Sequence, residues 1–478
     1  MDCRARSSWD GPGLWRDGDE GDCIRMERAE VPRCGCGERW VRFDPPFRNR
    51  SRCHERPRVR TPARHDPFAA LRQPDFLLFS FGRFTATAGQ GMLHAAIAWQ
   101  VYLISGSALQ LGMLGLVRLV PQLLAALYAG AVADSFDRKR IVLLAQIVPV
   151  GCSAILLATT VAQTIDLRLI YMLVLATALA NAFENPARQA LLPSIVRRET
   201  FQNAITVSQT IQSLASVSGP ALAGVTIAFF TVSGAYAAHV VLLVISIIGI
   251  ALLQPRPIEG ERRAVSMEAI KEGLQFVWRR QILLGSMTLD LFAVIFGGAT
   301  ALLPVYATTV LHVGSVGYGI LVSSLDAGAL VAAVILVAVP QVQHTGRVLM
   351  YSIAAFGLGT VVFGLSTWFP LSVAAYMFIG MADQVGLVMR HTTVQLATPD
   401  ALRGRVSSVS GLFSGTSNQL GAVESGFVAA ATSAVFAVVS GGIGCLAVLG
   451  VVAVLIPELR SYRVDDVARA EAESPAAS

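Results

Sequence analysis

The stretch from Gly130 to Arg140, GAVADSFDRKR, decides how the rest of the chain is read. A long apolar run precedes it and another follows, so it reads as the tight turn between two transmembrane helices. Gly130 lets a second helix pack closely, and Asp134 is an acid at a helix end. Arg138, Lys139 and Arg140 are three fixed positive charges, which stay on the cytoplasmic side of a bilayer. On this stretch alone the alternative is the basic loop of any membrane protein.

Composition points the same way. The 478 residues are 54% hydrophobic and only 15% charged, with a mean hydropathy of +0.57. A soluble domain carries roughly 25% charged residues, so the chain is read as an integral membrane protein and not a large globular enzyme. The net charge of +6 carries no implication of nucleic-acid binding. After Arg72 the basic residues fall almost entirely in alternate loops.

From Phe76 the chain is a series of apolar runs, each near the ~20 residues that a hydrocarbon core requires. Transmembrane helices are expected at 76–104, 108–133, 141–163, 168–191, 203–230, 235–254, 282–310, 316–339, 347–367, 370–391, 404–431 and 433–456, which makes twelve. One set of loops holds Arg138–Arg140, Arg197, Arg198, the segment Arg256 to Arg280, Arg347, Arg403 and Arg405; the other holds only Arg168, beside Asp166. The basic set faces the cytoplasm, and an even helix count puts both termini inside.

The expected organisation is a basic, disordered, cytoplasmic tail (1–72), a six-helix bundle (73–254), a cytoplasmic linker (255–281), a second bundle (282–457) and a cytoplasmic C-terminal tail (458–478). The first tail can also be read as a mis-assigned start, or as a basic membrane-surface anchor. The linker stretch SMEAIKEGLQFVWRR has the pattern of an amphipathic helix at the membrane surface. Cys34, Cys36, Cys53 and His54 match the spacing of no standard zinc module, so no metal and no cofactor are expected. Cys152 and Cys445 read as packing residues in apolar helices.

The two halves overlay. A shift of 207 residues puts Gly91 on Gly298, Trp99 on Tyr306, Gly112 on Gly319 and Arg140 on Arg347. A shift of 202 puts Arg188 on Arg390, Val207 on Val409, Ser208 on Ser410, Gly219 on Gly421 and Gly224 on Gly426. Parallel six-helix repeats of this kind are a transporter architecture. The first shift also places Arg83 over Asp290, and an ion pair between them across a central cavity is expected.

Ionisable residues inside membrane helices are costly and functional by default, with structural glue between helices as the alternative. The candidates for a substrate and proton pathway are Arg83, Arg118, Glu184, Asp290, Asp326, Asp383, Arg390 and Glu424, with Gln90, His94 and Asn181 as neutral polar partners. His94 reads equally as a packing histidine. Asp290 and Asp383, and then Glu424, are the candidates for reversible protonation, because apolar surroundings disfavour an ionised carboxylate. In SVSGPALAG, Gly219, Pro220 and Gly224 combine close packing with a weakened helix that is expected to kink. Thr398-Pro399-Asp400 reads as a helix start: a hydroxyl cap, a first-turn proline and an acid on the dipole.

These motifs carry a resemblance. GAVADSFDRKR is similar to the loop between helices two and three of the major facilitator superfamily, G-x-x-x-D-x-x-G-R-[RK]-[RK], with Asp137 in place of the second glycine. SVSGPALAG resembles the antiporter motif of exporters in that superfamily. EGLQFVWRR, GGATALLPVYA and RHTTVQLATPDALRGRVSSV resemble the branch that includes the bacterial enterobactin exporter, from about Pro74 to Pro457. The resemblance implies an all-α fold of twelve transmembrane helices in two pseudo-symmetric bundles. It implies a cytoplasmic latch in which Asp134 meets the start of helix eleven and Arg138 meets Glu184 or Glu199.

The function expected is secondary active transport by alternating access in a bacterial inner membrane: proton-coupled efflux of a siderophore-like or drug-like small molecule, by a monomer. Solute uptake on the same fold, or a non-transporting receptor, are the alternatives. No G-x-x-x-x-G-K-[ST] occurs, so ATP is not expected to drive it. No metal-ligand cluster or nucleophile–base arrangement marks an enzyme.

Overall fold

In the computed structural model the described residues are 70–197, 200–254, 267–339, 342–399, 402–457 and 459. Among them there are helices and connections but no strand. The helices are α1 (Pro74–Ser105), α2 (Ala108–Ser135), α3 (Arg138–Val161), α4 (Leu167–Ile195), α5 (Phe201–Ala251), α6 (Met267–Arg279), α7 (Gln281–Phe296), α8 (Gly314–Ala338), α9 (Thr345–Leu365), α10 (Phe369–Leu396), α11 (Arg403–Ala431) and α12 (Ala434–Leu455). Eight stretches are long and apolar enough to cross a membrane, with Ala108–Leu124 a shorter apolar helix beside them. That is the span count among the described residues, against the twelve expected. The 1–72 tail falls outside the described residues except for Ala70–Arg72, a 3-10 turn whose Ala70 N–H donates to Asn203 Oδ1 at 3.1 Å. Cys34, Cys36, Cys53 and His54 also lie outside.

Two expected helices differ in form. The stretches read as 203–230 and 235–254 join into α5, broken at one residue, Thr231, with φ 60° and ψ −176°. The reversal needs no loop, because the left-handed backbone at that threonine turns the chain and its hydroxyl meets Ser233 Oγ at 2.8 Å. At Pro220, where a kink was expected, the backbone angles stay helical. The span 282–310 is instead interrupted after Phe296. It continues as a 3-10 turn (Ala299–Leu302), a short helical piece (Leu303–Val305) and a π-helical turn (Tyr306–Val310). Gly297 and Gly298 lie at the break, and Pro304 cannot donate to a helical ladder across it.

The basic loop is built to hold its own half together. Asp137 caps α3, accepting from the Lys139 N–H at 3.0 Å, and lies 3.6 Å from Arg140 Nε. A carboxylate at that position satisfies a helix N-terminus, which a glycine cannot do through a side chain. Lys139 Nζ donates to the carbonyls of Ala251 and Leu253, both at 2.7 Å, closing the C-terminus of α5. Arg138 Nη1 donates to the Ala190 carbonyl at 3.0 Å, and not to Glu184 as expected. Glu199 lies outside the described residues, as do the surroundings of Gly130 and the side chain of Asp134. The expected cap at Thr398 is also revised. Its hydroxyl donates back to the Val394 carbonyl at 2.6 Å, and α11 starts at Arg403. Nor is α6 only a surface element: Val277 packs with Leu283, Met287, Val394 and Val406, and Glu272 pairs with Arg405 at 2.5 Å.

Backbone contacts join the helices before α6 to those after it. A Cβ on Gly112 of α2 would lie 3.0 Å from the Gly426 Cα of α11. One on Gly224 of α5 would lie 2.8 Å from the Gly319 Cα of α8 and 2.7 Å from the Ser315 carbonyl oxygen. All four glycines sit toward the helix ends away from the basic loops. Glycines also tie α5 to α1, where a Cβ on Gly219 would lie 2.5 Å from the Ala88 carbonyl, and α11 to α7, where one on Gly421 would lie 2.7 Å from that of Val294. Gly224→Val and Gly112→Val are expected to lower stability by about 1–3 kcal/mol each through overpacking. Thermal unmasking of the buried thiols Cys152 and Cys445 in detergent measures it. Melting temperatures equal to the unsubstituted protein would contradict the close approach.

Candidate substrate cavity

Between the two sets of helices lies a cavity of about 1130 Å³. On α1 its lining residues Arg83, Thr87, Gln90 and His94 recur at helical spacing, as do Asn181, Asn185 and Gln189 on α4. Arg118 and Gln122 of α2 and Gln212 of α5 complete this wall. The facing wall is Thr300, Tyr318 and Asp326, with Tyr376 and Asp383 of α10 and Asn418 of α11. Asn185, Gln189, Gly411 and Asn418 line the cavity and are exposed, so it opens toward the end that carries the basic loops.

The opposite end is closed. The glycine contacts lie there, and Trp99 stacks on Tyr318 with ring centroids 5.0 Å apart. Tyr318 donates to the Ala95 carbonyl at 3.1 Å, a hydrogen bond from α8 to α1 across the divide. Within the facing wall Tyr376 shares a 2.7 Å hydrogen bond with Thr300, and it packs on Phe363, which stacks on Tyr306.

Of the residues singled out from sequence, Arg83, Gln90, His94, Arg118, Asn181, Glu184, Asp326 and Asp383 line this one cavity. Asp290, Arg390 and Glu424 do not. Glu424 takes a 3.3 Å hydrogen bond from Ser425 outside the lining. Gln90 Nε2 meets His94 Nε2 at 2.7 Å, which places His94 in the cavity wall and not in bare packing. Tyr318, Tyr376, Gln122, Gln189 and Gln212 were missed. The i, i+4, i+8 spacing of Asn181, Asn185 and Gln189 was the signal available for the polar face of α4. Nothing local in the sequence marks the tyrosines.

The expected Arg83–Asp290 pair does not form. Asp290 pairs with Arg390, whose side chain is 2% exposed, and Arg83 donates to Gln212 Oε1. The internal repeat accounts for this. Arg83 occupies the position of Asp290 in the other half, and Arg188 that of Arg390. Two like charges there repel, and Arg83 lies close enough to Arg188 to feel it. Arg188 therefore takes Glu184 one turn back on α4, and Glu184 also accepts from Gln146 Nε2 at 2.9 Å. Gln146 in turn donates to Ser246 at 3.1 Å.

Four charged groups of the lining have no ion pair among the described residues: Arg83, bonded to the neutral Gln212, and Arg118, Asp326 and Asp383. Asp326 and Asp383 sense each other's charge, and Tyr376 lies within reach of both. Neither carboxylate has a basic partner among the described residues. Arg118 has no ion pair there, and its Nη2 is sealed from solvent without a hydrogen bond. Among the described residues no group of three metal-ligating side chains comes together.

Residues 65–477 match the family model described as transmembrane secretion effector. The chain is 27% identical over 403 residues to the multidrug efflux pump Tap of Mycolicibacterium fortuitum, covering 80% of this chain and 96% of that protein. It is 29% identical over 425 residues to Tap of Mycobacterium tuberculosis (85% and 98%). It is 24% identical over 394 residues to the enterobactin exporter EntS of Citrobacter koseri (82% and 94%). The fold is similar to the nucleoside transporter NupG, with a TM-score of 0.66 at 12% identity over 80% of this chain and 100% of that one. A POT family transporter superposes with a TM-score of 0.63 at 9% identity, over 80% and 96%.

Asp290→Leu or Arg390→Met alone is expected to cost about 3–5 kcal/mol, because each leaves its partner buried and uncompensated. The double substitution is expected to recover most of that in thermal melts. An Arg83→Asp, Asp290→Arg swap brings no rescue, whereas Asp290→Arg with Arg390→Asp does. The reverse pattern would restore the pair expected from the repeat.

Proposed function

From the premise that this chain belongs to the transmembrane secretion effector family of the major facilitator superfamily, we propose that it exports a small amphiphilic solute in exchange for protons. The protein is a multi-pass membrane transporter, not an enzyme. The basic loops face the cytoplasm on this reading, both termini are cytoplasmic, and the conformation described is open inward in a bacterial inner membrane. The chain acts as a monomer, since one chain encloses the cavity.

One observation carries the proposal: two carboxyl groups, Asp326 and Asp383, share one wall of the cavity without a basic partner among the described residues. Two carboxylates held close and away from water resist simultaneous ionisation, so a proton bound there balances the site. Asp290 leaves the set of protonation candidates because Arg390 neutralises it. Asp326 takes its place beside Asp383. Glu424, outside the cavity lining, has no part in this site.

Solute enters from the cytoplasm while the glycine contacts seal the far end. The halves then rock, those contacts part, and the carboxyl pair meets the outer solution, where protonation displaces the solute. Return to the inward-open form releases the proton inside. Gly219, Pro220 and Gly224 serve this cycle as the surface on which α5 rides against α1 and α8. The names of the relatives, a multidrug pump and an enterobactin exporter, support a drug-like or siderophore-like solute.

Solutes inside and outside cells that lack the protein, carry it, or carry Asp383→Asn identify the cargo. Everted vesicles then test coupling. Cargo is expected to accumulate when the lumen is acid and to fall at least tenfold when the gradient is collapsed. Asp383→Asn and Asp326→Asn are expected to abolish gradient-driven accumulation and to keep gradient-independent exchange. Accumulation indifferent to the gradient, or carriage of solute from the medium into whole cells, would overturn proton-coupled export.

A further inference from the structure

Resting on the export reading, we propose that Arg118 is an anion subsite of the cavity, so that the transported solute carries a carboxylate or a comparable acidic oxygen group. The other intramembrane arginines that the structure places have partners: Arg83 has Gln212, Arg188 has Glu184 and Arg390 has Asp290. Arg118 has none among the described residues, yet it stands at the middle of α2 in the cavity wall.

Its surroundings explain what is missing. Among the described residues His94 and Tyr318 lie close enough to feel its charge, and neither is a carboxylate. Tyr318 spends its hydroxyl proton on the Ala95 carbonyl. His94 is engaged by Gln90. Asp326 and Asp383 belong to the facing wall and pair with no arginine. A guanidinium held at membrane depth with a sealed, unbonded Nη2 is costly. An arriving carboxylate supplies the counter-charge that Arg118 lacks, with Nη2 turned out of its sealed position to meet it. The planar fork of arginine then donates two parallel hydrogen bonds to it, and lysine offers only a point charge.

The lining beside Arg118 defines the rest of the ligand. Ile97 and Ala98 of α1, Leu111 and Leu114 of α2, and Val322 of α8 give an apolar bed on the closed side of the guanidinium. An acid group on an apolar, ring-sized body fits that arrangement. The acidic wall opposite sets the polarity of binding: it repels a second anion and accepts a basic or protonated group at the far end of the solute.

The test is binding of 1-naphthoate against its neutral isostere 1-naphthamide, to the full chain in lipid nanodiscs, by calorimetry. The unsubstituted protein is expected to prefer the carboxylate by about tenfold or more. Arg118→Met is expected to erase the preference and Arg118→Lys to keep part of it. Gln122→Glu places an internal carboxylate one helical turn along α2, and is expected to satisfy Arg118 and erase the preference with the arginine intact. Heat-unmasking of Cys152 and Cys445 checks folding; if Arg118→Met does not fold, Gln122→Glu decides. No preference in the unsubstituted protein, or one that survives both substitutions, overturns the subsite. Binding needs no proton gradient. Failed coupling with the preference intact would therefore overturn the export reading and leave the subsite standing.

Discussion

Two backbone-to-backbone contacts, Gly112 on Gly426 and Gly224 on Gly319, hold the arrangement on which the cavity depends. Lipid tails are as apolar as leucine, so membrane helices gain little from hiding apolar surface from one another. They associate where small residues let backbones meet. Here those meetings lie at one end of the helices and join α2 to α11 and α5 to α8. The far end is left apart. A cavity closed on one side and open on the other follows from where the glycines are, before any polar side chain is considered.

The repeat makes this arrangement legible in the sequence. Gly112 and Gly319 are equivalent under one shift, and Gly224 and Gly426 under the other. Each glycine pair that touches therefore joins a residue of one helix class to a residue of the other, and the two contacts are copies of one interaction. The same holds within each half, where Gly219 meets α1 and its equivalent Gly421 meets α7. A helix pattern, a repeat and a charge-sorted set of loops together carried the fold class. They did not carry the form of α5 or the interruption after Phe296. Both depend on single backbone positions, Thr231 and the Gly297–Gly298 pair, whose conformations are chosen by packing and not by hydropathy.

The site was legible in residue type and less so in partnership. Membrane-depth charges named Arg118, Asp326 and Asp383 without reference to structure, because their cost demands a role. Which charge meets which was not recoverable from spacing. Arg83 and Asp290 are equivalent by the repeat, and each takes a partner within its own half: Gln212 for Arg83, Arg390 for Asp290. Asp137 is a similar case. It is a departure from the family pattern, and its carboxylate starts α3 and approaches Arg140. The family pattern marks what is typical of that turn, and the hydrogen bond shows what this side chain does in it.

The two halves divide the electrostatic work unequally, and the division fits a rocking motion. Arg390–Asp290 and Arg188–Glu184 are each enclosed within one half, so relative movement of the halves leaves both pairs intact. Breaking either would expose an unpaired charge at membrane depth, a cost that a transport cycle has no means to recover. Arg118 belongs to one half and the Asp326–Asp383 pair to the other. Their surroundings change when the glycine contacts part, because Tyr318, which touches Arg118 electrostatically, is carried by the opposite half. Charges satisfied within a half keep it rigid. Charges left unsatisfied at the divide are the ones whose energy a solute or a proton can shift.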